Sequence, residues 1–213
     1  MVIADLGSGT GISAEYFLRH GNTVYGVEPN DPMREAAQHL LAGFDRFHSV
    51  SGSAEATTLP SASVDRVVAA QAFHWFDIAA TRREVRRILR PEGQAALIWN
   101  MRRVDATPFL RAYEALLLRH GTDYAKVRDE TMSEDALTRF FGGPFVTGIF
   151  PNGQTFDFDG LRGRLLSASY VPGEGDPRHV PMIDELRRIF DAHEELGRVR
   201  IDYQTLVYCG RVA

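Results

Sequence analysis

The sequence predicts an α/β fold organised around one mostly parallel sheet. A short apolar strand runs straight into the glycine turn Leu6-Gly7-Ser8-Gly9-Thr10-Gly11. Strand-like and helix-like segments then alternate at the spacing of right-handed crossovers. A continuous apolar run over residues 94–101 has the character of a strand buried on both faces.

Residues 1–5 form the first strand, so the chain starts inside it. A helix over 12–20 is stopped by Gly21, and 23–28 make a second strand. Pro29-Asn30-Asp31-Pro32 opens a helix to about residue 42, with Asp31 as N-cap and Pro32 at the first helical position. Residues 47–52 and 64–70 are the third and fourth strands. Helical spacing over 77–89 ends at Arg90-Pro91-Glu92-Gly93, ahead of the apolar strand at 94–101.

Past Arg103 the rhythm changes. Thr107-Pro108 opens an amphipathic helix, and Ser133 caps a short one. Asn152-Gly153 reads as a hairpin turn, 159–169 as a helix, 181–196 as an amphipathic helix closed by Gly197, and 200–212 as a terminal strand. The expectation is one domain over 1–213. Residues 1–102 form a cofactor-binding half, 103–196 helical additions over the substrate edge, and 197–213 the closing strand.

Composition narrows the function. The chain has 213 residues, 44% of them hydrophobic, and a net charge of -4, so the broad positive field that nucleic-acid binding uses is missing. No apolar run reaches the roughly 18 residues of a membrane span. A single cysteine, Cys209, gives no internal disulfide and suits a reducing cytoplasm. Lys126 is the one lysine among 24 basic residues, which hints at a GC-rich bacterial gene.

A ligand carrying adenosine needs a turn free of side chains, donors at a helix N-terminus, and a carboxylate for the ribose hydroxyls. The glycine turn supplies the first two, and Glu28 ends the second strand 23 residues after Asp5, where the ribose would lie. Gly9-Thr10-Gly11-Ile12-Ser13-Ala14 also matches a looser nicotinamide-dinucleotide pattern. That register leaves Asp5 unexplained, because a carboxylate beside a pyrophosphate is unfavourable. S-adenosyl-L-methionine carries a cationic amino group there instead, and Asp5 becomes an asset.

With these residues in place the chain resembles the class I methyltransferases, in particular the small-molecule branch similar to trans-aconitate methyltransferase. The resemblance rests on Asp5-Leu6-Gly7-Ser8-Gly9-Thr10-Gly11, Gly26-Val27-Glu28-Pro29-Asn30, Ser53-Ala54-Glu55, Gln71-Ala72-Phe73-His74-Trp75-Phe76-Asp77 and Leu89-Arg90-Pro91-Glu92-Gly93, with a further likeness over 163–172. It implies a Rossmann-like, seven-stranded sheet with an antiparallel last strand. It also implies S-adenosyl-L-methionine held by Asp5, Gly7, Ser8, Gly9, Gly11, Glu28 and Pro29, with the Ser53-Ala54-Glu55 loop at the adenine. Family members commonly carry Asp where this chain has Ser53, so the adenine amine would meet a weaker partner, or Glu55 would help. Members also carry helices ahead of the first strand that cover the cofactor; here either the start is misassigned, or the sequence is trimmed, or the site is unusually open.

Methyl transfer from a sulfonium is an in-line displacement, so alignment is the main task. A base is needed only if the acceptor must lose a proton. Gln71 and Phe73 are the expected cofactor-lining residues after the fourth strand. His74 and Trp75 are expected to shape the transfer pocket, with His74 a candidate base whose ordinary pKa suits it. Arg102, Arg164 and Tyr170 are candidate acceptor contacts, the arginines by forked pairing with a carboxylate. Arg82, Arg83, Arg86 and Arg87 recur at helical spacing and read as a solvated face rather than a nucleic-acid patch. No metal-ligand spacing is present. The expected function is methyl transfer to a small molecule, a carboxylate or other oxygen acceptor. The alternatives are a binding domain without catalysis and a dinucleotide enzyme.

Overall fold

A computed structural model describes residues 1–122, 124, 132–168 and 170–213. Its seven strands are β1 Val2–Leu6, β2 Thr23–Glu28, β3 Phe47–Ser51, β4 Val64–Ala70, β5 Leu89–Arg102, β6 Phe145–Phe156 and β7 Val199–Gly210, in the sheet order β3-β2-β1-β4-β5-β7-β6. The pairs β1·β2, β1·β4, β2·β3 and β4·β5 are parallel, and β5-β7-β6 are antiparallel. The described helices are α1 Ile12–Arg19, α2 Asp31–Leu40, α3 Ile78–Ile88, α4 Pro108–His120, α5 Glu134–Phe141, α6 Phe158–Leu166 and α7 His179–His193. The α/β class and the mostly parallel seven-stranded sheet are therefore as the sequence indicates.

By internal contacts the chain divides into two compact units. The first comprises Met1–Trp99, Met132–Ile149 and Leu206–Ala213. Its core sets Ala4, Leu6, Val67, Ala69 and Leu97 of the strands against Val85 and Ile88 of α3 and Leu137, Phe140 and Phe141 of α5. A smaller cluster packs Ala14 and Leu18 of α1 on Val24 and Leu41. The second unit comprises Asn100–Thr131 and Phe150–Thr205. There Phe109, Leu110, Tyr113, Leu116 and Leu117 of α4 meet Leu161 and Leu165 of α6, Met182, Leu186 and Phe190 of α7, and Val199, Ile201 and Tyr203 of β7. Each large apolar side chain so buried contributes about 1.5–3 kcal/mol of transfer free energy.

Four local expectations are corrected. Asn30, not Asp31, caps α2: its side chain accepts from the Met33 N–H at 3.1 Å while its own backbone stays extended. Asp31 falls in the first turn, where its charge favours the helix dipole. Residues 90–93 belong to β5, because Val64 pairs with Leu89 and the register shifts before Arg66 meets Gln94. Gly93 permits the irregularity, since a Cβ there would lie 2.7 Å from Leu89 Cδ2.

Asn152-Gly153 does not turn back, and β6 runs through it. A type I′ hairpin needs positive φ at both central residues, and neither has it. Asn152 Nδ2 instead donates to Thr205 Oγ1 at 3.2 Å, and its Oδ1 accepts from the Gly153 N–H at 2.7 Å. The helix expected over 159–169 ends at Leu166, and Ser169 lies outside the described residues.

Candidate functional site

β1 is flanked by β2 on one side and β4 on the other, so chain order reverses at β1. Crossovers leave in opposite directions there, and the carboxyl ends of the strands open a crevice. Asp5, the glycine turn and Glu28 all sit at that edge in the first unit.

The turn holds three glycines in the left-handed region, Gly7 at φ 65, Gly9 at φ 54 and Gly11 at φ 89. Their neighbours differ. A Cβ on Gly7 would lie 2.6 Å from Ala72 Cβ, and one on Gly11 2.6 Å from Leu41 Cδ1, so both glycines serve packing. A Cβ on Gly9 would meet only Met33 Sδ at 3.9 Å. Gly9 therefore borders open space, as a backbone approached by a ligand must.

Glu28, almost fully buried, is aimed by backbone donors: Oε2 accepts from the Gly9 N–H at 3.0 Å and Oε1 from the Asn30 N–H at 2.9 Å. Each oxygen keeps further acceptor capacity for a ribose hydroxyl. Asp5 is 0% exposed. Its Oδ2 accepts from Ser13 Oγ at 2.6 Å, while Oδ1 has no partner among the described residues. Burial pushes its pKa up to about 7, the Ser13 hydroxyl pulls the other way, and the nearby Glu28 charge adds to the rise. A buried carboxylate with an unsatisfied oxygen suits a cationic partner, and it fits the ammonium group of a methionyl moiety.

The loop after β3 is closed by reciprocal backbone bonds between Ser53 and Ala56 at 3.2 Å, with Ala54 buried. Glu55 Oε1 accepts from the Asp77 N–H at 3.0 Å and Thr81 Oγ1 at 3.4 Å, at the start of α3. Burial works against its charge, but Ser53 and the Asp77 amide outweigh it, and its pKa is lowered. Glu55 thus fastens the loop to α3. Pro29, next to Glu28, is exposed.

Gln71, exposed at the end of β4, has a φ of 59 and donates its N–H to Ile98 O at 3.0 Å. A left-handed non-glycine residue at a ligand edge is a local cost retained by its surroundings. It turns the chain into the short 3-10 helix Phe73–Trp75. Phe73 corrects the sequence expectation. It is 4% exposed and packs edge to face on Phe76 and Phe140, because an apolar ring facing the α3–α5 core gains more there than at a wet rim.

His74 is exposed, and Trp75 is 79% exposed. The imidazole lies between the Trp75 ring at 4.7 Å and the Trp99 ring at 5.1 Å, the latter nearly perpendicular. Trp99 was missed from sequence. Its signal was register: Ile98 pairs with Ala70, so Trp99 ends at the same edge as the turn after β4. Ser13 was missed as well, and its signal was its place in the first turn after the glycines.

In the second unit, Arg102 is an ion-pair partner. Its guanidinium meets Glu114 and the Tyr124 hydroxyl, and it lies over the Tyr113 ring at 5.0 Å. This corrects the reading of Arg102 as a carboxylate clamp, because Glu114 already answers its charge. Arg164 differs. Its neighbours are Tyr203, Tyr113 and Tyr170, and Ser167 Oγ accepts from it at 3.4 Å; among the described residues no carboxylate pairs with it. Burial works against its charge and the tyrosines favour it, with a net upward shift. Tyr170 stacks at a tilt on Tyr124 at 5.1 Å and accepts the Thr122 N–H. Among the described residues no group of His, Cys, Asp and Glu could hold a metal ion, and no helix is long and apolar enough to cross a membrane.

Comparisons with known proteins bear on this arrangement. Residues 4–97 match the family described as methyltransferase domain. A methyltransferase-like protein of Schizosaccharomyces pombe is 26% identical over 211 residues, covering 97% of this chain and 80% of that protein. A Mycobacterium tuberculosis protein named as a methyltransferase is 40% identical over 100 residues, 47% of this chain and 40% of that protein's length. The structure of a protein named as a type II methyltransferase from Anaeromyxobacter dehalogenans superimposes with a TM-score of 0.72 at 25% identity, covering 99% of this chain and 89% of that one.

Proposed function

We propose that this S-adenosylmethionine-dependent methyltransferase transfers its methyl group to a small anionic acceptor, a carboxylate or another oxygen. The observation that carries the acceptor class is Arg164, a half-buried guanidinium beside Tyr203, Tyr113 and Tyr170 with no carboxylate pairing with it among the described residues. A buried charge without a counter-charge is expensive, and an anionic acceptor would supply one in the forked geometry that guanidinium favours. Tyr170 supports the same reading as a hydroxyl donor from the same unit.

In this proposal the cofactor's amino group meets Asp5, its ribose hydroxyls bind Glu28, and its methionyl part lies along the backbone of Gly7, Ser8, Gly9 and Gly11. Pro29, Ser53, Ala54 and Glu55 border the adenine, and Gln71 lines the cofactor from the end of β4. The bound cofactor supplies an electrophilic methyl on a sulfonium. The protein then has two tasks, to hold the acceptor oxygen in line and to keep competing nucleophiles away. His74 and Trp75 line the transfer edge. For a carboxylate acceptor His74 needs to move no proton; for a hydroxyl it would take one.

The test is Arg164→Gln assayed on a panel of small carboxylates beside their amides. The expected outcome is an acceptor KM raised by about tenfold or more, the scale of one lost charge-assisted hydrogen bond, with an unchanged Kd for S-adenosylmethionine. Equal KM values for the variant and the parent on every carboxylate would overturn the acceptor class.

A further inference from the structure

The sequence shows four arginines on one helix, and the structure separates them. Arg87 pairs with Glu84 at 2.7 Å and is neutralised. Arg82, Arg83 and Arg86 instead line a groove of about 560 Å³, joined from α5 by Arg139, with Ile78 and Ala79 as its apolar wall. Among the described side chains, Asp135 lies 3.7 Å from Arg139 across an exposed pair. Arg83 and Arg86 pair with no acidic group among the described residues.

Arg82 is placed by built features rather than by solvent. Its Nε and Nη2 both donate to the main-chain oxygen of Ala213, at 3.0 and 2.5 Å. Its guanidinium also lies against Gly142, the left-handed cap of α5, where a Cβ would stand 2.1 Å from Nη2. Arg82 is thus engaged at Ala213, and the charge offered to the groove rests on Arg83, Arg86 and Arg139. Arg82 and Arg86 are four residues apart and Arg83 and Arg86 three, spacings at which like charges on a helix repel. A chain of net charge -4 thus gathers four cations around one concavity.

We propose that the α3–α5 groove is a binding site for a small multivalent oxyanion of the phosphate or diphosphate type. Its volume lies in the range of small-molecule sites, about 300–1,000 Å³. Guanidinium forks converging from two helices match oxyanion geometry from several directions, which a single planar carboxylate would use only in part. The Ile78–Ala79 wall gives an organic ester a surface to cover. None of these residues belongs to the cofactor site, so the proposal does not depend on the methyl-transfer reading.

The test is calorimetric titration of the protein, saturated with S-adenosylhomocysteine to close the cofactor site, with inorganic pyrophosphate and separately with phenyl diphosphate. The expected result is one site per chain, weakened by about tenfold or more when the salt is raised from low to several hundred millimolar. Tighter binding of the phenyl ester would mark an organic ligand, and tighter binding of pyrophosphate an inorganic one. The double variant Arg83→Gln/Arg86→Gln should bind about tenfold more weakly or worse with its cofactor affinity retained. Arg139→Gln, on the other helix, should weaken binding independently, which keeps the test valid if the double variant misfolds. No binding at millimolar anion, or equal binding by parent and folded variants, would overturn the proposal.

Discussion

Ser13 donates its hydroxyl to Asp5 at 2.6 Å, and among the described residues this is the one side-chain hydrogen bond given to a carboxylate that is 0% exposed. One oxygen of Asp5 is served and the other is not. Burial raises the carboxyl to a pKa of about 7, with the Ser13 hydroxyl opposing the rise and the Glu28 charge adding to it.

The first prediction follows from that value. The protonated form of Asp5 has no charge to offer a methionyl ammonium, so binding of S-adenosylhomocysteine should strengthen as pH rises through about 7 and level off above it. Calorimetry at pH 7 in buffers of different ionisation enthalpy should show net proton release on ligand binding. Stability should run the other way. The folded carboxyl holds its proton more tightly than the unfolded one, so the stability linked to that proton is present below the ordinary carboxylate range and lost as pH rises through about 7. Asp5→Asn should therefore raise Tm more at pH 8 than at pH 5, while weakening ligand binding at pH 8. A pH-independent ligand affinity would remove Asp5 from the site.

A second prediction concerns Glu28, which is held by the Gly9 and Asn30 amides. Glu28→Ala should weaken cofactor binding by about 1–3 kcal/mol, the range for losing a charge-assisted partner. Part of that loss comes from the two amides, which lose their acceptor. Glu28→Gln keeps one acceptor oxygen and should lose less. A folded Glu28→Ala variant with parental Kd would contradict the ribose assignment.

The third prediction separates ligand space from packing space within one turn. Gly9 and Gly11 both have positive φ, so alanine strains either by about 1–2 kcal/mol. Only at Gly11 does the added Cβ also collide, 2.6 Å from Leu41 Cδ1. Gly11→Ala should lower Tm more, whereas Gly9→Ala should lose proportionally more cofactor affinity. Thermal melts paired with ligand titrations check this, and the reverse order would place the ligand elsewhere. Alanine is a cleaner probe than valine at Gly9, because a β-branched side chain in the left-handed region adds strain of its own.

How much was legible in the sequence depends on the range of the forces involved. The strand into glycine turn, the carboxylate at the end of β2, the Asp77, Thr107 and Ser133 region boundaries and the alternation of β1 to β5 follow from local rules, because caps, turns and apolar periodicity act over a few residues. The class of fold and the cofactor chemistry are local in this sense, and so they could be read without coordinates.

Other features were settled only when distant segments met. Asn152-Gly153 has the local preference of a turn, but cross-strand partners at Asn100 and Thr205 hold it extended. Phe73 reads as a pocket aromatic until Phe140, on a helix far along the chain, covers it. Arg102 and Arg164 are alike as sequence; only the fold brings Glu114 to one and tyrosines to the other. The same holds for the arginines of α3, where Glu84 claims Arg87 while Arg139 from α5 turns a solvated helix face into a groove. Sequence spacing determines which residue types stand near one another on an element. Which charges are neutralised, and which remain free to bind, is decided by tertiary packing, because desolvation and counter-charge depend on neighbours that sequence order does not supply.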